Sequence, residues 1–127
     1  MADDVQFLTP EWAAALEHEA NASDGVRAAT EGVDLTVQAD IPGAEYAVAF
    51  RNGSVTVHWG RLEHPDVTLV SSRETAEALS RGTINAQQAF VDGRLRLRGD
   101  LAKLTAARQA LLRLGDAFAS LRSRTRY

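Results

Sequence analysis

Cysteine is absent from the 127 residues of this chain, and proline, tryptophan and methionine are scarce, with three, two and one residues. Without cysteine there can be no disulfide, no thiol nucleophile and no thiolate metal site. Runs of about 18 apolar residues are also missing, which excludes a transmembrane helix. The first residues contain neither the basic stretch nor the apolar stretch of a signal peptide. We therefore expect a cytoplasmic protein with no integral membrane segment.

Positive charge is not in excess, because 17 acidic residues stand against 14 basic ones and the formal net charge is −3. Nucleic-acid-binding proteins usually carry a clear basic excess, so we expect no nucleic-acid partner. The hydrophobic fraction of 45% and the charged fraction of 24% are typical of a folded globular domain. The length predicts a single domain over residues 1–127.

Catalytic and metal-binding motifs are missing as well. His18, His58 and His64 lack partners at the spacing of a zinc site, and no phosphate-binding loop, nucleophile elbow or dinucleotide-binding fingerprint occurs. We expect no catalytic residue, no metal and no cofactor. An enzyme is the least favoured interpretation, although Tyr46, His58 or Asp100 would be available as a lone acid–base group if it faced a pocket.

The sequence does contain a clear change of hydrophobic period. Thr9-Pro10 is typical of a helix start, and apolar residues follow at helical spacing to residue 21, with a second short helical turn at 24–29. From residue 33 apolar and polar residues alternate, as in a half-buried strand. The predicted strands are 33–39, 46–50, 55–59, 66–70 and 94–98, with the Asn52-Gly53 hairpin turn between the second and the third.

Helices complete the predicted order. We expect Ser71 to cap a helix that ends at Gly82, Asn85 to cap a short helix, Asp100 to cap a long final helix, and residues 122–127 to fray. The first three strands should form an antiparallel meander. This order predicts the α+β class, with one mainly antiparallel five-stranded sheet and helices packed on one face.

The alternation also assigns a face to each strand residue, because successive side chains point to opposite sides of a sheet. The covered face should carry Leu35, Val37, Val48, Phe50, Val57, Trp59, Leu95 and Leu97. The opposite face should carry Thr36, Gln38, Thr56, His58, Arg94, Arg96 and Arg98. The three arginines have two interpretations, a solvated sheet edge or a cationic strip for an acidic head group or phosphate.

The predicted final helix carries a long apolar stripe of Leu101, Leu104, Leu111, Leu114, Phe118 and Leu121. Gly115 interrupts it at a cost of about 1 kcal/mol relative to alanine. The stripe holds more apolar residues than a five-stranded sheet obviously needs. Such a stripe can be plain core, can line a cavity between sheet and helices, or can pair with a second copy.

Residues 82–100 are more distinctive than this generic pattern. The run GTINAQQAFVDGRLRLRGD resembles the core motif of the sterol carrier protein family, the intracellular non-specific lipid-transfer type. The positions that match are Gly82, Asn85, Gln87, Ala89, Phe90, Gly93, Leu95 and Gly99. The good match covers residues 66–104. Ala86 departs from the family's proline, and Arg126-Tyr127 departs from the peroxisomal signal with which some members end.

The resemblance implies an apolar tunnel between sheet and helices for a fatty acid, an acyl-CoA or a sterol-like molecule, with no covalent catalysis. The candidate ligand-binding residues are Phe50, Trp59, Leu79 and Phe90, together with Leu104, Leu111 and Phe118 from the apolar stripe. We also expect Phe90 to be buried where the short helices meet the sheet. The alternatives are a structural or adaptor domain with a filled core, a homodimer that pairs through the long helix, and an enzyme that uses the cavity as a template.

Overall fold

The computed structural model describes residues 4–127 and contains one five-stranded sheet with helices on its inner face. The helices are α1 Pro10–Ala22, α2 Asp24–Thr30, α3 Arg73–Arg81, α4 Ala86–Val91, α5 Leu101–Ala106 and α6 Arg108–Arg122. The strands are β1 Val5–Gln6, β2 Asp34–Ile41, β3 Ala44–Arg51, β4 Ser54–Trp59, β5 Val67–Ser71, β6 Leu95–Gly99 and β7 Thr125–Arg126. The large sheet has the order β4-β3-β2-β5-β6, and only the β2–β5 pair is parallel. The predicted α+β class and the mainly antiparallel sheet are confirmed.

The predicted meander and its register are also present. Val37 lies opposite Val48, which lies opposite Val57, so these three side chains share the inner face. Asn52 and Gly53 both have positive φ, 43° and 92°, in the turn between β3 and β4. Two-residue hairpin turns of this kind match the right-handed twist of the strands that they join.

The outer face of the sheet is partly covered, which the alternation does not predict. Residues 60–66 cross this face, and Gln38 is fully buried beneath them. The Gln38 amide donates to the carbonyl of Gly60 at 3.1 Å and accepts from the Leu62 N–H at 2.9 Å. The predicted direction of Gln38 is therefore right, but the side chain serves as an internal anchor for the loop.

Helix α1 closes the sheet edge at β4. The Thr9 hydroxyl caps the helix by accepting from the Trp12 N–H at 3.2 Å. Farther along, the Asn21 amide donates to the Val55 carbonyl at 2.7 Å and accepts from the Val55 N–H at 2.9 Å. Glu17 accepts from the Val57 N–H at 2.7 Å. These side chains take the place of a further strand, so the edge does not offer unpaired backbone groups at these positions.

The long final helix predicted from Asp100 is wrong in one respect. Asp100 caps α5 as expected, accepting from the Lys103 N–H at 2.9 Å, but the helix ends at Ala106. Ala107 separates α5 from α6 with φ −98° and ψ 17°. Neither a proline nor a glycine indicates this break between the two helices. The other capping error is smaller, since Ser72 rather than Ser71 caps α3 by accepting from the Thr75 N–H.

The fraying predicted for residues 122–127 is also wrong. Strand β7 pairs in parallel with β1, and the Phe7 N–H donates to the carbonyl of Arg126 at 2.9 Å. The hydroxyls of Tyr127 and Ser80 form a hydrogen bond of 2.6 Å, and the Arg81 guanidinium lies 4.1 Å from the Tyr127 ring centroid. These contacts fix the end of the described chain against α3.

Candidate ligand-binding site

An apolar cavity of about 610 Å³ lies between the inner face of the sheet and helices α3 to α6. Folded interiors rarely leave voids larger than one water molecule, so a space of this size is a feature of the fold rather than a packing defect. It falls within the range of about 300–1,000 Å³ that is usual for small-molecule sites. The strands contribute Val37, Ala39, Ile41, Tyr46, Val48, Phe50, Leu69, Leu95 and Leu97 to its wall.

One end of the cavity is closed by aromatic rings. Trp12 packs edge-on against Phe7 and Tyr46, with ring centroids 5.1 and 5.3 Å apart, and its centroid lies 6.0 Å from that of Phe118. Tyr127 packs on the far side of Phe7, at 5.0 Å. Edge-to-face arrangements of this kind are favourable beyond the area that they bury. The closed end is therefore a fixed aromatic wall.

The other end opens between α4 and α6. The lining residues that are exposed to solvent lie here, among them Phe90 at 51% and Leu112 at 59%. The turn from Gly82 to Asn85 completes this rim, and the Arg122 guanidinium packs beside Gly82. The cavity thus leads from a rim with exposed apolar side chains to a closed aromatic end.

Gly115 leaves a gap in the helix wall of the cavity. It lies inside α6, one turn after Leu111 and one turn before Phe118, and all three residues line the space. A Cβ built at Gly115 meets no atom within 4 Å. The glycine that costs helix stability therefore gives the cavity additional width.

Polar side chains in the wall are few, and most already have partners. Ser80 is bonded to Tyr127, and the Arg122 guanidinium donates to the Ser80 carbonyl at 2.9 Å. Tyr46 and Arg122 are the titratable side chains that line the cavity among residues 4–127. Burial raises the pKa of the Tyr46 hydroxyl well above its ordinary value, so this group stays protonated at ordinary pH.

Six of the seven predicted ligand-binding residues line this cavity, namely Phe50, Leu79, Phe90, Leu104, Leu111 and Phe118. The contact of each with a ligand stays a prediction. Trp59 lies outside the cavity, because β4 is the edge strand and its inner face is covered by α1.

The predicted burial of Phe90 is wrong. In the short helix α4 the residue that turns toward the sheet is Ala89, which is fully buried, and Phe90 is rotated toward the opening. Leu101, from the predicted apolar stripe, is likewise half exposed. Motif identity predicted the place of Phe90 in the fold but not its exposure.

Several lining residues escaped the sequence reasoning, including Phe7, Trp12, Ile84 and Leu112, and Tyr46 was considered only as an acid–base group. Phe7 precedes every predicted element and reaches the cavity only through the β1–β7 pair. Tyr46 fits the alternation of β3, which could have placed it on the inner face.

Within residues 4–127, histidine and carboxylate side chains do not converge on the cavity. His58 lies on the outer face of β4, and Asp100 is occupied as a helix cap, so of the three lone acid–base candidates only Tyr46 lines the space. No group of three or more histidine, aspartate or glutamate side chains within residues 4–127 could hold a metal ion. Across the same residues, no helix is both long and apolar enough to cross a membrane.

Comparison with known proteins gives a consistent family assignment. Residues 13–112 match the profile of the SCP-2 sterol transfer family. A conserved hypothetical protein from Thermus thermophilus, described as possibly a sterol carrier protein, has a TM-score of 0.74 at 20% identity, covering 91% of this chain and 89% of that one. Palmitated SCP2L2 from Aedes aegypti has a TM-score of 0.59 at 23% identity, covering 76% and 86%.

A partial likeness extends to a larger protein. The sec-alkylsulfatase Pisa1 from Pseudomonas sp. matches 64% of this chain with a TM-score of 0.53 and 24% identity, but the chain spans only 13% of that protein's length. At these identities the structural likenesses show a shared fold. A comparison with curated protein sequences finds no match.

Proposed function

Because this chain belongs to the SCP-2 sterol transfer family, a family of lipid-binding or lipid-transfer domains, we propose that it carries one apolar or amphipathic molecule in the cavity between sheet and helices. The observation that supports the proposal most directly is the cavity of about 610 Å³ with a closed aromatic end and a single apolar rim. The candidate ligands are a fatty acid, an acyl-CoA or a sterol-like molecule.

Binding would draw on the hydrophobic effect. Each Å² of ligand surface removed from water contributes about 25 cal/mol, and the cavity wall is aliphatic and aromatic over most of its area. A preformed space also spares the protein the ordering cost of building a site around the ligand. The rim residues Phe90 and Leu112 offer apolar surface along the entry route.

A binding role is favoured over a catalytic one by the composition of the wall. No carboxylate, histidine or lysine lines the cavity among residues 4–127. Acid–base catalysis most often uses such groups, and burial keeps the tyrosine of the wall, Tyr46, protonated by raising its pKa. A homodimer remains a prediction, and its proposed surface, the single long helix, is replaced by α5 and α6.

The test is a variant that fills the cavity without disturbing its wall. Gly115→Leu places a side chain in open space on the cavity side of α6, and it replaces a poor helix former with a good one. We expect binding of a fluorescent fatty-acid probe to weaken at least 10-fold, while the melting temperature stays the same or rises. Isothermal titration of the probe and thermal unfolding by circular dichroism measure the two effects.

The matched control is Ala119→Leu, which adds the same bulk on α6 at an exposed position outside the cavity wall. Its probe affinity should equal that of the parent protein. If Gly115→Leu keeps full affinity, or if no probe binds the parent at micromolar concentration, the carrier proposal is wrong. Native mass spectrometry of protein purified from its own host would identify a molecule that copurifies.

A further inference from the structure

The hydroxyl of Tyr46 lies at the closed end of the cavity without a protein hydrogen-bond partner. The side chain lies on the inner face of β3, lines the cavity, and is 8% exposed. Among residues 4–127 no hydrogen bond reaches this hydroxyl. Buried hydroxyls nearly always have a protein, water or ligand partner, so the exception calls for an explanation.

Other polar groups near the cavity do not need a ligand. The hydroxyl of Ser71 donates to the carbonyl of Ser72 at 3.2 Å, and that of Ser80 is bonded to Tyr127. Asn85 accepts from the Gln88 N–H at 2.7 Å and lies at the solvent-exposed rim. The indole Nε1 of Trp12 has no partner either, but it is fully enclosed by protein atoms. Tyr46 is therefore the donor that an occupant of the closed end can reach.

The surroundings of this hydroxyl restrict the chemistry of its partner. The rings of Trp12, Phe7 and Phe118 form the closed end, and the cationic side chain of the wall, Arg122, donates to the Ser80 carbonyl and packs beside Gly82. A carboxylate or phosphate that displaces water from beside these uncharged rings would lose much of its hydration. A neutral oxygen would lose much less and would still accept the Tyr46 hydrogen bond.

We propose that Tyr46 selects ligands that carry a neutral acceptor oxygen, such as a hydroxyl, a carbonyl or an ester, at the end that enters the cavity first. This inference rests on the proposed carrier function and makes it more specific. An alcohol or a sterol enters with its oxygen toward Tyr46, whereas a fatty acid enters tail first and leaves its carboxylate at the rim.

The experiment compares ligands that differ by one oxygen. 1-Tetradecanol, tetradecane and tetradecanoic acid each displace 8-anilinonaphthalene-1-sulfonate from the parent protein and from Tyr46→Phe, which removes only the hydroxyl. We expect Tyr46→Phe to weaken tetradecanol binding about 3- to 10-fold, the range for one hydrogen bond, and to leave tetradecane and tetradecanoic acid unchanged.

Thr30→Val is the matched control, because it deletes a fully buried hydroxyl that donates to the Arg27 carbonyl and lies outside the cavity wall. It should lower the melting temperature and leave all three affinities unchanged. Tyr46→Phe should show the opposite pattern, with no loss of melting temperature, since its hydroxyl has no hydrogen bond to lose in the empty protein.

The outcomes separate this inference from the function on which it rests. Equal effects of Tyr46→Phe on alcohol and alkane, or no effect on either, would overturn the role of Tyr46 while the carrier function stands. Displacement by tetradecanoic acid alone would have the same meaning. If none of the three compounds displaces the reporter from the parent protein, both the carrier function and the role of Tyr46 are overturned.

Discussion

Asp66 ties the loop that precedes β5 to the centre of the sheet. Its carboxylate accepts from the Thr36 N–H at 2.9 Å and forms an ion pair with Lys103 at 3.1 Å, while its own N–H donates to the Thr36 hydroxyl at 2.8 Å. Burial acts to raise the pKa of Asp66, but the hydrogen bonds from Thr36 and Lys103 outweigh it and leave the pKa below its ordinary value of 3.8.

This shift predicts an acid-sensitive contribution to stability. A lowered pKa in the folded state means that the unfolded chain binds the proton more tightly, so Asp66 stabilises the fold at pH values above about 4. The contribution is lost as the pH falls from 3.8 through the lower pKa of the folded state. We expect the urea midpoint of the parent protein to fall on acidification from pH 6 to pH 3. The urea midpoint of Asp66→Asn should lie below that of the parent at pH 6, and this difference should be smaller at pH 3. An identical difference at both pH values would contradict this.

Gln38 marks the limit of what alternation along a strand can predict. The pattern assigns Gln38 to the outer face correctly, together with Arg96 and Arg98, which are exposed as expected. It does not reveal that residues 60–66 fold back over β2 and bury Gln38. The loop has no hydrophobic period, and the Gln38 side chain holds it through two hydrogen bonds to its backbone, in addition to the contacts of Asp66 with Thr36.

At the scale of elements, local signals predicted the strands and caps that the chain forms on its own. The Asn52-Gly53 turn, the Asn85 cap and the Asp100 cap are present in the structure. The break at Ala107 was missed because the apolar spacing from Leu104 to Leu111 is the same whether or not the helix is continuous. The pair of β1 and β7 was missed because two-residue strands have no measurable period.

The position of helix α4 was predicted correctly, but its exposed residue Phe90 was predicted to be buried. Phe90→Ala should cost less than about 1 kcal/mol of unfolding free energy, because half of the ring is already in water. It should also weaken binding of a fluorescent fatty-acid probe, since the ring forms part of the rim. Urea unfolding and probe titration measure the two effects.

Leu95→Ala supplies the comparison for this prediction. Leu95 lies on β6 in the same motif and is buried, so its truncation should cost about 2–5 kcal/mol. A cost for Phe90→Ala in that higher range would show that the ring supports the fold rather than the rim.

At the scale of the whole molecule, the cavity is assembled from segments that are far apart in sequence. Its wall includes Phe7 near one end of the described chain, Tyr46 from the central meander and Phe118 from α6. The motif in residues 82–100 provides much of the rim and, through Leu95 and Leu97, part of the sheet wall. Sequence reasoning therefore predicted the open end better than the closed end, because the aromatic wall forms only when distant segments pack together.

Residues 125–127 pack behind the closed end, and a substitution of Tyr127 tests whether this packing supports the aromatic wall. Tyr127→Ala deletes the ring that packs on Phe7, the hydrogen bond to Ser80 and the contact with Arg81. We expect the free energy of unfolding to fall by about 2–3 kcal/mol, which is the sum of the contributions of a partly buried ring and one hydrogen bond. Hydrogen-exchange measurements should show faster exchange at the Phe7 amide, which bonds to β7, while amides in β3 stay protected.

The control is Arg126→Ala, at the neighbouring exposed position. It should leave exchange at the Phe7 amide unchanged, because the carbonyl of residue 126 remains. Unchanged exchange at Phe7 in Tyr127→Ala would mean that the β1–β7 pair holds the aromatic wall without the tyrosine.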